Sequence, residues 1–296
     1  MVYTNAEKSG MRGRDFMTLS VRRLAASFCG EVDGVNLRHL DAATNVAIKK
    51  AWLAHKVLVF HDQDLDEDDL VNFAQHLGDV EIHLRQTRTT GRREVMLVSN
   101  LKEDGKPIGR LGNQELNWHM DQIFMAQPTA GTILYAVEVP PEGGDTWFCD
   151  LGAAYVALPG ELKTRIEGRR GVHSAATADR RVGIQLSEEQ RSKAPEVIHP
   201  LVRTHPLAGE KGLYFSMNHT ARLDGMAEDE SLDVLDELRR HATQPQFVYA
   251  HRWHVGDLVL WDNAATMHRR DPFPDQFPRL MRRVGFAFPA DQRVPF

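Results

Sequence analysis

The second half of this chain is written in short runs of strand-forming residues, each closed by a turn signal. That punctuation limits the possible folds more than any other feature. Thr132 to Val139 is one such run; Pro140-Pro141-Glu142-Gly143-Gly144-Asp145 stops it and Thr146-Trp147-Phe148 resumes. Leu213 to Met217, Phe247 to Trp253, Asp257 to Trp261 and Arg282 to Phe288 follow in the same style. Strands this short bury their apolar faces when two sheets close on each other. The expected architecture is therefore mainly β with flanking helices, a double-stranded β-helix or jelly roll.

The first half supplies helices to flank it. Asp41 is placed to cap a helix running to about His55, with Val46, Ile48, Trp52 and Leu53 as its apolar positions. Asp64 or Asp66 opens a second, striped by Leu70, Val71, Phe73, Ala74 and Leu77 and ended by Gly78. Between them Val57-Leu58-Val59-Phe60 is apolar throughout, the pattern of a strand buried on both faces. Phe16 to Val21 and Val95 to Val98 read as further strands, and Gly30 to Gly34 as a turn or bulge. Asp150 to Ala157, Gly160 to Glu167 and Glu228 to His241 read as helices, the last with Leu232, Leu235 and Leu238 on one side. Residues 1–15 read as a flexible tail and 16–296 as a single domain, with polar, weakly periodic lid loops near 83–116 and 175–196.

Composition closes off several classes. The chain has 296 residues, 42% hydrophobic and 26% charged, enough for a large core in an ordinary globular protein. A net charge of −5 leaves no basic excess for nucleic acid, and no apolar run approaches a membrane span. The N-terminus has no apolar h-region, and two cysteines, Cys29 and Cys149, cannot make a disulfide framework or a cysteine-only zinc site. A cytoplasmic protein, a homo-oligomer without nucleic-acid or membrane partners, is the expectation.

Chemistry concentrates at Asn117-Trp118-His119-Met120-Asp121-Gln122. In an extended segment His119 and Asp121 point to the same side. An imidazole and a carboxylate then reach one point, and one further His would complete a facial triad with open positions, a donor set suited to non-haem iron. The other His-x-Asp, His39-Leu40-Asp41, is accounted for by Asp41 as a helix cap. His268, just past the strand Asp257 to Trp261, is a candidate third ligand, or else a polar strand-end His. Beyond it Arg279 and Arg283, four apart, share a strand face with Met281. Turned inward, each guanidinium needs an anion; turned outward, the pair is an exposed basic face.

These residues, in this order, resemble the iron(II)- and 2-oxoglutarate-dependent dioxygenases of the taurine dioxygenase and 2,4-dichlorophenoxyacetate dioxygenase family. The resemblance covers about Thr18 to Ala287. His119-Met120-Asp121, Gly143-Gly144-Asp145-Thr146, His199 to Pro206, Trp261-Asp262-Asn263 with His268, and Arg279 carry it. It implies that His119, Asp121 and His268 bind iron(II), that Arg279 and Thr146 hold the far carboxylate of 2-oxoglutarate, and that Trp261 packs near that cosubstrate. Arg283 stands where the taurine enzyme's sulfonate-binding arginine stands, and His83 near its substrate-side histidine. Gln86 replaces a tyrosine of that enzyme, which speaks against taurine itself. O2 is the other cosubstrate, and hydroxylation beside an ether oxygen or a sulfonate gives a product that fragments. The basic Arg85, Arg88, Arg92 and Arg93 would help attract an anion or else form a solvated loop. The expected substrate is a small anionic molecule: an aryloxyalkanoate-type carboxylate first, an alkyl sulfonate or sulfate second. A zinc hydrolase with the same triad and a non-catalytic jelly-roll binding protein are the readings of other classes.

Overall fold

The computed structural model describes residues 19–82, 91–177, 187–189 and 195–290. The apolar run Val57–Phe60 shows how the layers are built. It lies inside a nine-stranded sheet, antiparallel to Leu258–Asp262, with Val57 opposite Trp261 and Phe60 opposite Leu258. Alternate side chains leave opposite faces of a strand. Leu58 and Phe60, with Leu258, Leu260, Ile133 and Phe286, pack under helices Ala42–His55 and Glu67–Leu77 through Ile48, Trp52, Leu70 and Phe73. Val57 and Val59, with Val259, Trp261, Leu134 and Met281, face the other way and meet Phe148 and Trp253.

The large sheet runs Ser20–Arg23, Gly30–Asp33, Val57–Phe60, Leu258–Asp262, Gly131–Glu138, Leu280–Ala287, Met96–Ser99, Arg110–Leu111, with Asp79–Val80 also paired to Leu280–Ala287. The second sheet runs Val248–His251, Thr146–Asp150, Thr266–Arg270, Leu116–His119. Its outward residues Cys149 and Met267 are covered by helices Leu151–Val156, Gly160–Ile166 and Glu228–Ala242. Both cysteines are free and buried. Two facing sheets with helices outside match the architecture that the turn-punctuated pattern predicts. Among the described residues no helix is long and apolar enough to cross a membrane.

The helix starts are written locally. Asp41 accepts from the backbone N–H of Thr44, so the earlier His-x-Asp spends its carboxylate on a cap. Asp66 and Asp69 form a reciprocal capping box.

Other expectations need correction. Gly30–Asp33 is a strand, parallel to Val57–Phe60, and not a turn. The strand expected over Leu213 to Met217 ends at Leu213, the last residue of Lys211–Leu213, because its partner Val202–Thr204 is equally short. The N–H of Ser216 then donates to the Thr220 hydroxyl at 2.9 Å instead of to a neighbouring strand. A three-stranded sheet of Val197–Pro200, Arg170–His173 and Thr220–Leu223 was not foreseen, since nothing local announces pairing over such separations. Phe16 to Thr18 lie outside the described residues, and the first strand is Ser20–Arg23. Of the expected lids, 83–90, 178–186 and 190–194 lie outside them too, and 91–116 contains strands.

Candidate active site

The second sheet assembles the candidate ligands by register. His268 pairs with His119 on one side and with Phe148 on the other. It stands in the middle of strand Thr266–Arg270, not past the end of a core strand as expected. Because Met267 points out to the helices, His268 points in. The imidazole centroids of His119 and His268 are 4.1 Å apart, and one ligand atom from each of His119, Asp121 and His268 lies within 4.8 Å of the others. The Nδ1 of His119 is 2.7 Å from the Asn117 carbonyl. A proton there leaves Nε2 as the lone-pair donor. Trp261, buried, packs its ring 4.8 Å from His268. Burial, then the neighbouring His119, pushes His268 down to about 3, so it stays in the neutral, metal-ligating form. At Asp121 burial works to raise the carboxyl. The Arg283 guanidinium, then His268 and His119, outweigh it and hold the group well below the usual carboxylate range.

A relay of hydrogen bonds orients that carboxylate. The Thr132 hydroxyl donates to Asp121 Oδ2 at 2.9 Å and accepts from Asn263 Nδ2 at 2.9 Å. Asn263 Oδ1 accepts from Trp261 Nε1 at 3.1 Å. Arg283 Nη2 donates to Asp121 Oδ2 at 2.9 Å. Just after Asp121, Gln122 takes a positive φ of 50°, and its side-chain amide is held by Glu81 and Thr129.

Arg279 is 1% exposed, yet its Nε and Nη1 have no hydrogen-bond partner among the described residues. Burial, then the nearby Arg270, brings its pKa down to about 9. Its backbone is pinned: the Ser99 hydroxyl donates to its carbonyl and its N–H donates to Asn100 Oδ1. The turn after Pro140 lies against it. Gly143 and Gly144 have φ of 72° and 73°, and a Cβ on Gly144 would come 3.6 Å from Arg279 Nε. The Thr146 hydroxyl accepts from Trp253 Nε1 at 2.9 Å and so keeps its own proton to donate. A buried guanidinium without an anion is costly, and this one lies against the backbone of Gly144, two residues before Thr146: the residues fit a bound carboxylate.

The structure thus brings His119, Asp121 and His268 together, sets Arg283 on Asp121, buries Arg279, and places Trp261 directly against His268. His83 lies outside the described residues, as do Arg85, Gln86 and Arg88. Arg92 is engaged with Glu94 and Asp68. Sequence reasoning missed Thr132, Trp253 and Arg270, for which nothing local signals a role. Asn263 lies inside the quoted Trp261-Asp262-Asn263 motif and could have been singled out there.

Comparison with known proteins follows the same lines. The chain belongs to the family described as taurine catabolism dioxygenase TauD, TfdA family, whose sequence model matches residues 20–284. It is 37% identical over 282 residues to an alpha-ketoglutarate-dependent 2,4-dichlorophenoxyacetate dioxygenase of Cupriavidus pinatubonensis, covering 90% of this chain and 97% of that one. To an (S)-phenoxypropionate/alpha-ketoglutarate-dioxygenase of Sphingobium herbicidovorans it is 32% identical over 273 residues, covering 87% and 91%. A crystal structure of AAD-2 in complex with Mn(II) and N-oxalylglycine superposes with a TM-score of 0.82 at 37% identity, covering 92% of this chain and 98% of that one.

Proposed function

We propose that the protein is an Fe(II)- and 2-oxoglutarate-dependent dioxygenase that hydroxylates an aryloxyalkanoate-type carboxylate, with ether cleavage after hydroxylation. The observation that carries this is the His119–Asp121–His268 face together with Arg279, a buried arginine whose Nε and Nη1 have no partner among the described residues. Similarity to a protein that binds Mn(II) and N-oxalylglycine, an amide isostere of 2-oxoglutarate, supports the same cosubstrate. The similar 2,4-dichlorophenoxyacetate and (S)-phenoxypropionate dioxygenases support the substrate class.

Bound iron would supply the redox chemistry that couples O2 and the decarboxylation of 2-oxoglutarate to oxygen insertion into a C–H bond. The chain's residues do the rest. His119, Asp121 and His268 would hold the metal. Arg279 and Thr146 hold the distal carboxylate of the cosubstrate. Trp261 and Phe148 wall off His268 from water. Arg283, 6% exposed at the metal side of the pocket, pairs with the substrate carboxylate and sets the adjacent carbon toward the metal. Hydroxylation of that carbon, which bears the ether oxygen, gives a hemiacetal that expels a phenol. Buried thiols at Cys29 and Cys149 accord with a reducing, cytoplasmic setting, and we read the protein as a homo-oligomer.

The test supplies purified protein with Fe(II), ascorbate and 2-oxoglutarate and reads succinate and phenol across a panel of aryloxyacetates, aryloxypropionates, alkyl sulfonates and sulfate esters. Succinate and phenol should form best with the aryloxy acids, and His119→Ala and Asp121→Ala should abolish both. Turnover restricted to sulfonates or sulfates would reassign the substrate class. Failure to bind Fe(II) or 2-oxoglutarate would make the protein a non-catalytic binder.

A further inference from the structure

Arg279 is not the only buried arginine in this part of the molecule. Arg270 is 4% exposed and ends the strand Thr266–Arg270. It lies two residues beyond His268 and therefore on the same inward face. Across the ladder its Cα partner is Thr146, whose hydroxyl keeps a proton to donate. The rings and guanidiniums interlock: Arg270 and Arg279 both lie over Phe273, at 5.4 and 5.9 Å from its centroid.

The partners of Arg270 are lopsided. Its Nη2 donates to two carbonyls, Leu111 at 2.9 Å and Gln114. Its Nε and Nη1 have no partner among the described residues, and no described carboxylate pairs with it. Leu111, with a positive φ of 66°, offers its carbonyl there. One edge of the guanidinium is thus committed to holding the 111–114 segment. The rest is a buried positive charge beside a second buried positive charge. Nothing described on the protein offsets either, and a single carboxylate between them would offset both.

We propose that Arg270 is a second cationic contact for the distal carboxylate of 2-oxoglutarate, so that Arg270, Arg279 and Thr146 together select a dicarboxylate cosubstrate over 2-oxo acids with one carboxylate. This rests on the cosubstrate assignment above and adds a residue to it. It separates Arg270 from a purely structural arginine: a loop anchor would affect every 2-oxo acid alike, whereas a distal-carboxylate contact affects only acids that carry that group.

The experiment is titration calorimetry of the Mn(II)-loaded full-length protein, which needs no turnover, with 2-oxoglutarate and with 2-oxobutyrate, which lacks the distal carboxylate. Arg270→Met should raise the Kd for 2-oxoglutarate by about tenfold or more, the loss expected for a hydrogen bond to a charged group, and leave 2-oxobutyrate within about twofold. Mn(II) affinity should not change. Arg270→Lys, which keeps the charge and one donor for the Leu111 carbonyl, should fall between wild type and Arg270→Met and guards against a folding failure of the first variant. Equal weakening of both acids, or of neither, in the folded variants would reduce Arg270 to a loop anchor and overturn the proposal. If wild-type protein does not bind 2-oxoglutarate at all, the cosubstrate assignment itself falls, and Arg270 with it.

Discussion

Removing the Thr132 hydroxyl should loosen the metal site without touching a metal ligand. Thr132→Val keeps the branched shape and deletes one oxygen. Thr132 is fully buried, and that oxygen donates to Asp121 Oδ2 at 2.9 Å and accepts from Asn263 Nδ2 at 2.9 Å. The first loss is a hydrogen bond to a charged group, about 1.5–3 kcal/mol, and the second strands a buried amide donor at about 1–3 kcal/mol. The two share one oxygen and do not add fully; about 2–4 kcal/mol of folding stability is the expected loss. Metal affinity should fall as well, because Asp121 loses one of the two groups that fix its carboxylate. Partners of this kind are typically worth about 10–100-fold in affinity. Stability is read by urea denaturation followed by circular dichroism, and affinity by competition of Mn(II) against a chelator. Thr132→Ser, which restores the hydroxyl, should recover most of both. A folded Thr132→Val that binds Mn(II) within about twofold of wild type would show that Arg283 alone orients Asp121, and the relay argument would fail.

Other consequences are as direct. Arg279→Ala should raise the 2-oxoglutarate requirement, whereas Arg283→Ala should raise KM for the primary substrate and, because Arg283 Nη2 also holds Asp121 Oδ2 at 2.9 Å, weaken Mn(II) binding as well; if both variants affect only 2-oxoglutarate, the two-anion arrangement is wrong. Lys56→Met removes the cation 2.8 Å from Asp150, whose carboxylate is fully buried. It should cost about 3 kcal/mol in denaturation experiments, the low end for a broken buried pair, because Gly152 and Ala153 N–H groups still donate to Asp150. An effect under about 1 kcal/mol would contradict the burial argument. His173 is fully buried, and burial, then His199 and His219, holds its pKa well below the ordinary value. As pH drops below about 6.5 the unfolded chain takes up a proton that folded His173 refuses, so stability present at neutral pH declines by ~1.4 kcal/mol per pH unit. His173→Phe should flatten that slope in acid-dependent melts, and an unchanged slope would show that other groups set it.

How much of the fold is written locally in the chain depends on the range of each interaction. Asp41 and Asp66 announce their helices because a cap and the N–H it satisfies are three residues apart. Val57–Phe60 declares burial on both faces by having no polar residue. The run from Arg279 into the strand Leu280–Ala287 was legible for a related reason: alternation alone puts Arg279 and Arg283 on the face of the core residue Met281. Leu213 to Met217 misled because a strand lasts only as long as its partner, and the neighbouring Val202–Thr204 is a short segment.

The proposed metal ligands show both sides of this division. The amino-acid sequence alone specified His119 and Asp121 as a pair, since two-residue periodicity joins them locally, and the ordered motifs added His268, Thr146 and Arg279. Register between strands far apart in the chain did what no local pattern could. It seated His268 opposite His119, placed Thr132 under Asp121, and set Arg270 opposite Thr146. Periodicity acts within one segment; the direction in which a buried polar group finds its partner is settled only when the two sheets close.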